Sequence, residues 1–178
     1  SGPATTPPAP DRPEPSPDDA PRSVSAEEMV ATLRSLLPAG TELSVDQASG
    51  DDVVLAVMED AAGDALISVE LRFFPEFGIE PDDDFFTCAA RREVEGGTCE
   101  ELTLAGGIRG VAEEAPDEHA APGSGVVSRS VDLYRPGGVR VVASVWNAAE
   151  DSGPATRGEP PLTFAELRGI AADPGWVP

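Results

Sequence analysis

Residues 24–178 predict an α+β domain: an antiparallel meander sheet of five to seven strands, with the N- and C-terminal helices packed on one face. Three observations predict it. Apolar residues recur at helical spacing near both ends of this range, they alternate with period two in between, and glycine-containing reversals separate the alternating stretches. A chain of 178 residues has room for one such domain and an appendage.

The appendage is residues 1–23. Proline stands at 3, 7, 8, 10, 13, 15, 17 and 21, and no aliphatic side chain larger than alanine lies among them. Such a segment has too little apolar surface to offset its ordering entropy, so it reads as a disordered stalk, partly polyproline-like. Extended at about 3.1 Å per residue it would reach on the order of 70 Å.

The first helix is expected from Ser25, where Ser25-Ala26-Glu27-Glu28 forms a capping box and Val24 and Met29 form its hydrophobic staple. Met29, Val30, Leu33, Leu36 and Leu37 give it one buried face, and Pro38 and Gly40 stop it. The last helix repeats the device with Thr163, Glu166, Leu162 and Leu167, continues through Ile170 and Ala171, and ends at Asp173-Pro174-Gly175. Trp176 is expected to fold back as a core plug. Between the helices, Ile67, Val69, Leu71 and Phe73 alternate with Leu66, Ser68, Glu70 and Arg72, and Val53–Met58 is the antiparallel neighbour across residues 60–64. A second pair, 126–134 and 139–147, turns through Arg135-Pro136-Gly137-Gly138. Gly106-Gly107 marks another hairpin. Glu113–Gly125 lacks periodicity and reads as a mobile loop.

Composition narrows the partners. Twelve basic residues, all arginine, face 33 acidic ones for a net charge of −21, which excludes nucleic acid and disfavours anionic lipid. The carboxylates read as a solvated, mutually repelling surface, or more sharply as a face for cations or a basic partner. The longest aliphatic run, Val53–Met58, is far short of the roughly 20 residues that span a bilayer. The lack of lysine, beside abundant alanine, glycine and proline, reads as codon bias of a GC-rich genome, so an arginine here need not have been chosen for bidentate geometry.

Cys88 and Cys99 are expected to form a disulfide at the base of an irregular, acidic, arginine-containing loop; the alternative is a pair of buried thiols. Closing such a loop stabilises a fold by roughly 3 kcal/mol on the chain-entropy model. Their spacing is too wide for a Cys-x-x-Cys redox motif, and two cysteines with one distant histidine make too few ligands for zinc.

Other chemistry is sparse. His119, the single histidine, could act as a general base oriented by Asp117, but a loop histidine in solvent is the plainer reading. Ser124 lies between two glycines without a nucleophile-elbow motif. Asp82, Asp83 and Asp84 lack the alternate spacing of a calcium loop. Phe73, Phe74, Phe77, Phe85 and Phe86 crowd one stretch of an otherwise aromatic-poor chain. They read as core under a long loop, or as a contact patch with an acidic rim; on the second reading the candidate interaction surface is Phe74, Phe77, Asp82, Asp83, Asp84, Phe85 and Phe86.

The order of features carries a resemblance: a capped helix ending in Leu36-Leu37-Pro38, alternating strands, two cysteines, a Gly-Gly hairpin, a strand ending in Trp146-Asn147, then Pro160-Pro161-Leu162-Thr163, Leu167, Ile170-Ala171 and Pro174-Gly175-Trp176. Over residues 24–178 it resembles the uncharacterised extracytoplasmic domains of actinobacterial lipoproteins and single-pass membrane proteins. The resemblance implies a cell-surface or secreted location and transfers no catalytic residues. Some such proteins occur beside alternative sigma factors, which implies an alternative role as the extracellular sensor of an anti-sigma-like membrane regulator. The function expected is non-enzymatic binding or sensing by a membrane-anchored or secreted monomer, with no cofactor, no metal and no direct lipid contact. Its partner would be a protein or small ligand of the cell envelope; a structural envelope role is the third option.

Overall fold

The computed structural model describes residues 23–45, 49–74, 81, 83–91, 93–150 and 152–177, with the side chain of Asp83 left out. The stalk expected over 1–23 therefore lies, apart from Ser23, outside the described residues. The elements are α1 (Ala26–Leu36), β1 (Glu42–Val45), β2 (Val53–Asp60), β3 (Gly63–Phe73), β4 (Thr98–Thr103), β5 (Arg109–Pro116), β6 (Val127–Arg135), β7 (Val139–Trp146) and α2 (Phe164–Ala171). All seven strands form one antiparallel sheet in the order β1-β2-β3-β7-β6-β5-β4. The α+β class and the strand count agree with the sequence reading. The meander is split in two: β1-β2-β3 and β4-β5-β6-β7 meet where β3 pairs with β7, Ile67 opposite Val145 and Phe73 opposite Val139.

Both helices pack on one face. That face presents Val54, Ala56 and Met58 from β2, Ile67, Val69 and Leu71 from β3, Val141, Ala143 and Val145 from β7, and Val131 and Leu133 from β6, all buried in one cluster with Met29, Leu33, Leu167, Ile170 and Trp176. The alternation of the strands puts these side chains on a single side, so a helix laid across them removes the whole apolar row from water. Each helix begins with the reciprocal capping box its sequence predicts, Ser25 with Glu28 and Thr163 with Glu166. The entry to α1 is tied to the sheet by two aspartates: the Val24 amide donates to the Asp52 carboxylate at 2.6 Å and the Ala26 amide to Asp51 at 3.2 Å. Asp52 holds a positive φ of 64° between α1 and β2, a conformation aspartate tolerates better than most residues.

At the far end, Trp176 is fully buried and its indole N–H donates to the Ile170 carbonyl at 2.6 Å, so the plug also caps α2. Arg135 reaches across from β6, and its Nη2 donates to the carbonyls of Ala171 and Asp173 at 2.9 and 2.6 Å. A cation at a helix C-terminus meets the orphan carbonyls and the negative end of the helix dipole, a favourable site for a buried charge. Burial nonetheless pulls the Arg135 guanidinium below its usual range, with Asp173 opposing the shift. Asn147, also buried, accepts from the Val127 amide and donates to the carbonyls of Gly125 and Arg157, closing the open end of β6 and β7.

One expectation is corrected. The stretch from Glu113 is not a loop throughout, because Glu113–Pro116 continue β5 between β4 and β6. The acidic residues that hid the period have cationic partners: Glu114 pairs across the sheet with Arg129, and Glu113 faces Arg91 of the β3–β4 connection. Asp117–Val126 is the true connection, with the Asp117 amide donating to the Val126 carbonyl at 3.0 Å.

Gly110 is the tightest point of the sheet. Opposite Leu133 in the ladder, it passes so close to β6 that a β-carbon would stand 1.9 Å from the Asp132 carbonyl oxygen. Gly110→Ala therefore forces the two strands apart, and we expect a loss of roughly 3 kcal/mol, read as a lower urea midpoint at unchanged slope.

Candidate functional site

Among the described residues the second face of the sheet carries no α-helix. Across its centre runs a row of small hydroxyl side chains, with Ser68 and Ser130 on either side of Ser144 in β7. Toward β5 and β6 the face becomes charged, carrying Arg140, Asp132, Tyr134, Arg109, Val111 and Glu113. This charged end is covered by the connection between β3 and β4. The cover leaves β3 at Phe74, whose amide donates to the Gly138 carbonyl at 2.9 Å. Two short 3-10 turns, Asp83–Phe86 and Cys88–Ala90, then lie against β5, β6 and the edge strand β4.

Four rings form the apolar half of the cover. Phe86 is buried and stacks on Tyr134, with ring centroids 4.8 Å apart and planes at 12°. Phe74 meets Phe85, Phe86 and Tyr134 edge-on at 6.3, 6.4 and 5.8 Å. Two arginines stand over these rings: Arg109 is 5.6 Å from Tyr134 and 5.9 Å from Phe86, and Arg140 is 5.7 Å from Phe85. Such contacts let a guanidinium surrender water while keeping electrostatic company.

The polar half centres on Asp132, which is 2% exposed. Arg140 grips it with two parallel hydrogen bonds, Nε to Oδ1 at 2.9 Å and Nη2 to Oδ2 at 2.7 Å, while Arg91 donates to Oδ2 from the cover at 2.5 Å. Burial works against the Arg140 charge, but the hydrogen bonds and attraction of Asp132, with Glu70 and Glu113 beyond, more than offset it and hold the proton above the usual range. Glu113 lies 3.6 Å from Arg91 Nε. Its carboxyl is pushed above the ordinary range by burial; Arg91 and Arg140 pull it back, and Asp132 adds to the rise. Next to this cluster the Cys88–Cys99 disulfide ties the second turn to β4, and the Cys88 amide donates to the Glu101 carboxylate at 3.1 Å. Beside the bridge opens an acidic cleft of about 540 Å³ between the loop carrying Glu93 and Glu95 and the strand ends carrying Thr98, Cys99 and Glu113.

The candidate surface read from the sequence is thus partly assembled. Phe74, Phe85 and Phe86 come together; Phe86 is interior, Phe74 half-buried, and Phe85 stands 43% exposed. Asp84 is exposed and uses its carbonyl to accept from the Thr87 amide and hydroxyl. Phe77 and Asp82 lie outside the described residues, and the side chain of Asp83 is not described. The disulfide is present as expected, at the base of an irregular loop. His119 is exposed, and Asp117 accepts from its backbone amide at 2.8 Å, so the carboxylate makes a turn. Ser124 Oγ likewise accepts from the Val126 amide. Among the described residues no group of three or more histidine, cysteine, aspartate or glutamate side chains could hold a metal ion. No helix among them is long and apolar enough to cross a membrane.

Arg91, Arg109, Asp132, Tyr134 and Arg140 belong to no local sequence motif. The signal lies in the hairpin register: the turn through residues 136–138 sets Arg140 opposite Tyr134 and diagonal to Asp132, on the side away from Val131 and Leu133.

Asp132→Asn keeps the shape but strands two partly buried arginines, and we expect a loss of about 3 kcal/mol in urea unfolding. Glu113 gives a pH signature. Because its folded-state pKa is raised, the folded chain binds the extra proton, and stability falls as pH climbs from the unfolded carboxyl value through the folded one. Unfolding midpoints measured from pH 4 to 8 should show this fall in the wild type and a flatter profile in Glu113→Gln. Family models, the curated proteins and the solved structures yield no match to this chain.

Proposed function

We propose that this chain is a non-enzymatic, extracytoplasmic binding or sensing module of a membrane-anchored or secreted protein, and that it binds through the aromatic cover. The observation that carries the reading is Phe85: a large apolar ring left 43% exposed on a segment otherwise fixed by a disulfide, a ring stack and a buried ion pair. Aromatic residues beside arginines are the commonest anchors of protein and ligand contacts, and a rigid support lowers the entropy cost of using them. The compartment is supported by the bridge, since such bonds persist where the surroundings are oxidising. It is supported also by the resemblance to actinobacterial surface domains. The partner is a protein or small ligand of the cell envelope, the acidic surface disfavouring nucleic acid and anionic lipid.

Two measurements test this on the full-length protein in its native cells. A membrane-impermeant maleimide should label Cys88 and Cys99 on intact cells only after a reductant is added; labelling that requires lysis places the domain inside and overturns the reading. A photo-crosslinking residue in place of Phe85 should form an adduct with an envelope component. The same residue in place of Ala165, exposed on α2, should not. Equal yields from both positions, or none from 85, reject the cover as the binding surface.

A further inference from the structure

β4 ends the sheet. It pairs with β5 on one side only, and its backbone makes no ladder with any other described segment. Five of its six residues are exposed, Leu102 being the partly buried one. A strand in this state offers a row of unpaired N–H and C=O groups to any extended segment that can approach. What approaches is decided by charge. Glu100 and Glu101 project to opposite sides of the edge, and Glu93 and Glu95 line the cleft at its beginning. All four are exposed, and no ion pair engages them among the described residues. Among the described residues the nearby cations are engaged elsewhere, Arg91 with Asp132, Arg129 with Glu114 and Arg109 with the Phe86 and Tyr134 rings. A second copy of β4 would set glutamate against glutamate, so self-pairing is opposed, whereas a strand with cationic side chains meets opposite charge on both faces.

We infer that β4 is a docking edge for an extended, arginine- or lysine-bearing segment of another polypeptide, which adds to the sheet as an eighth strand and places one basic side chain in the cleft beside the disulfide. The other edge, β1, is only four residues long and leads directly into residues outside the description, so it offers a shorter ladder. The disulfide and the bond from the Cys88 amide to Glu101 hold the start of β4 in place before the partner arrives, so little ordering remains to be done on binding. This edge is separate from Phe85, so its failure leaves the binding role of the cover untouched.

The probe is a blocked nine-residue peptide alternating valine and arginine, titrated calorimetrically into the oxidised protein. We expect it to bind at least tenfold more tightly than the valine–glutamate counterpart. It should also bind at least tenfold more tightly than the same arginine peptide methylated on every backbone amide, which keeps its charge but cannot extend a ladder. Perturbed backbone amides should centre on residues 98–103. The triple variant Glu93→Gln, Glu95→Gln, Glu100→Gln, which spares Glu101, should lose at least tenfold in affinity, and Glu100→Lys alone should weaken binding in the same direction. Equal binding of the methylated peptide overturns the inference by showing charge attraction without strand addition. Undiminished binding by both variants, or a protein that dimerises through residues 98–103, does so too.

Discussion

A carboxylate taken out of water is costly unless cations reach it, and Asp132 is reached from two directions. Arg140 comes from the neighbouring strand, so that half of the pairing follows from the sheet itself. Arg91 comes from the cover, so that half exists only when the connection between β3 and β4 lies in place. An apolar patch would accept the cover in several positions, whereas the second bond to Asp132 is made only where Arg91 reaches it. The disulfide acts on the same segment through its entropy, and the stack of Phe86 on Tyr134 through area removed from water.

The two faces of the sheet illustrate two ways of covering strands. The first follows the ordinary layered pattern, with amphipathic helices over an aliphatic row. The second carries no α-helix among the described residues and uses arginine as a bifunctional filler. Arg140 grips Asp132 with two hydrogen bonds while its guanidinium carbon lies 5.7 Å from the centre of the Phe85 ring, and Arg109 stands over Phe86 and Tyr134. Lysine could not do both, because its ammonium is a point charge without a planar face. Arginine is the only long cation in this chain, and at position 140 the two parallel bonds to Asp132 use the planar fork that lysine lacks.

Elements governed by local rules were legible from the residues alone. The capping boxes at Ser25 and Thr163, the Trp176 plug, the hairpin through residues 136–138 and the cystine all follow from signals a few positions long. Glu113–Pro116 has the polarity of a loop because its charges are compensated by Arg91 and Arg129, one of them on a distant segment. β1 leaves no sequence signature, since four residues with one partly buried side chain carry almost no period. The Asp132 cluster was invisible for a related reason: Arg91 and Asp132 are 41 positions apart, and only the course of the cover joins them.

The strand order has a consequence for biosynthesis. β7 is both the last strand made and the one that joins the halves of the sheet. Until the ribosome has passed Trp146, the flank of β3 from Ile67 to Phe73 stays uncovered, a hydrophobic template open to misassociation. The cystine, by contrast, closes between positions 11 apart and needs no part of β7. Its closure is thus independent of the late zippering that joins the two halves of the sheet.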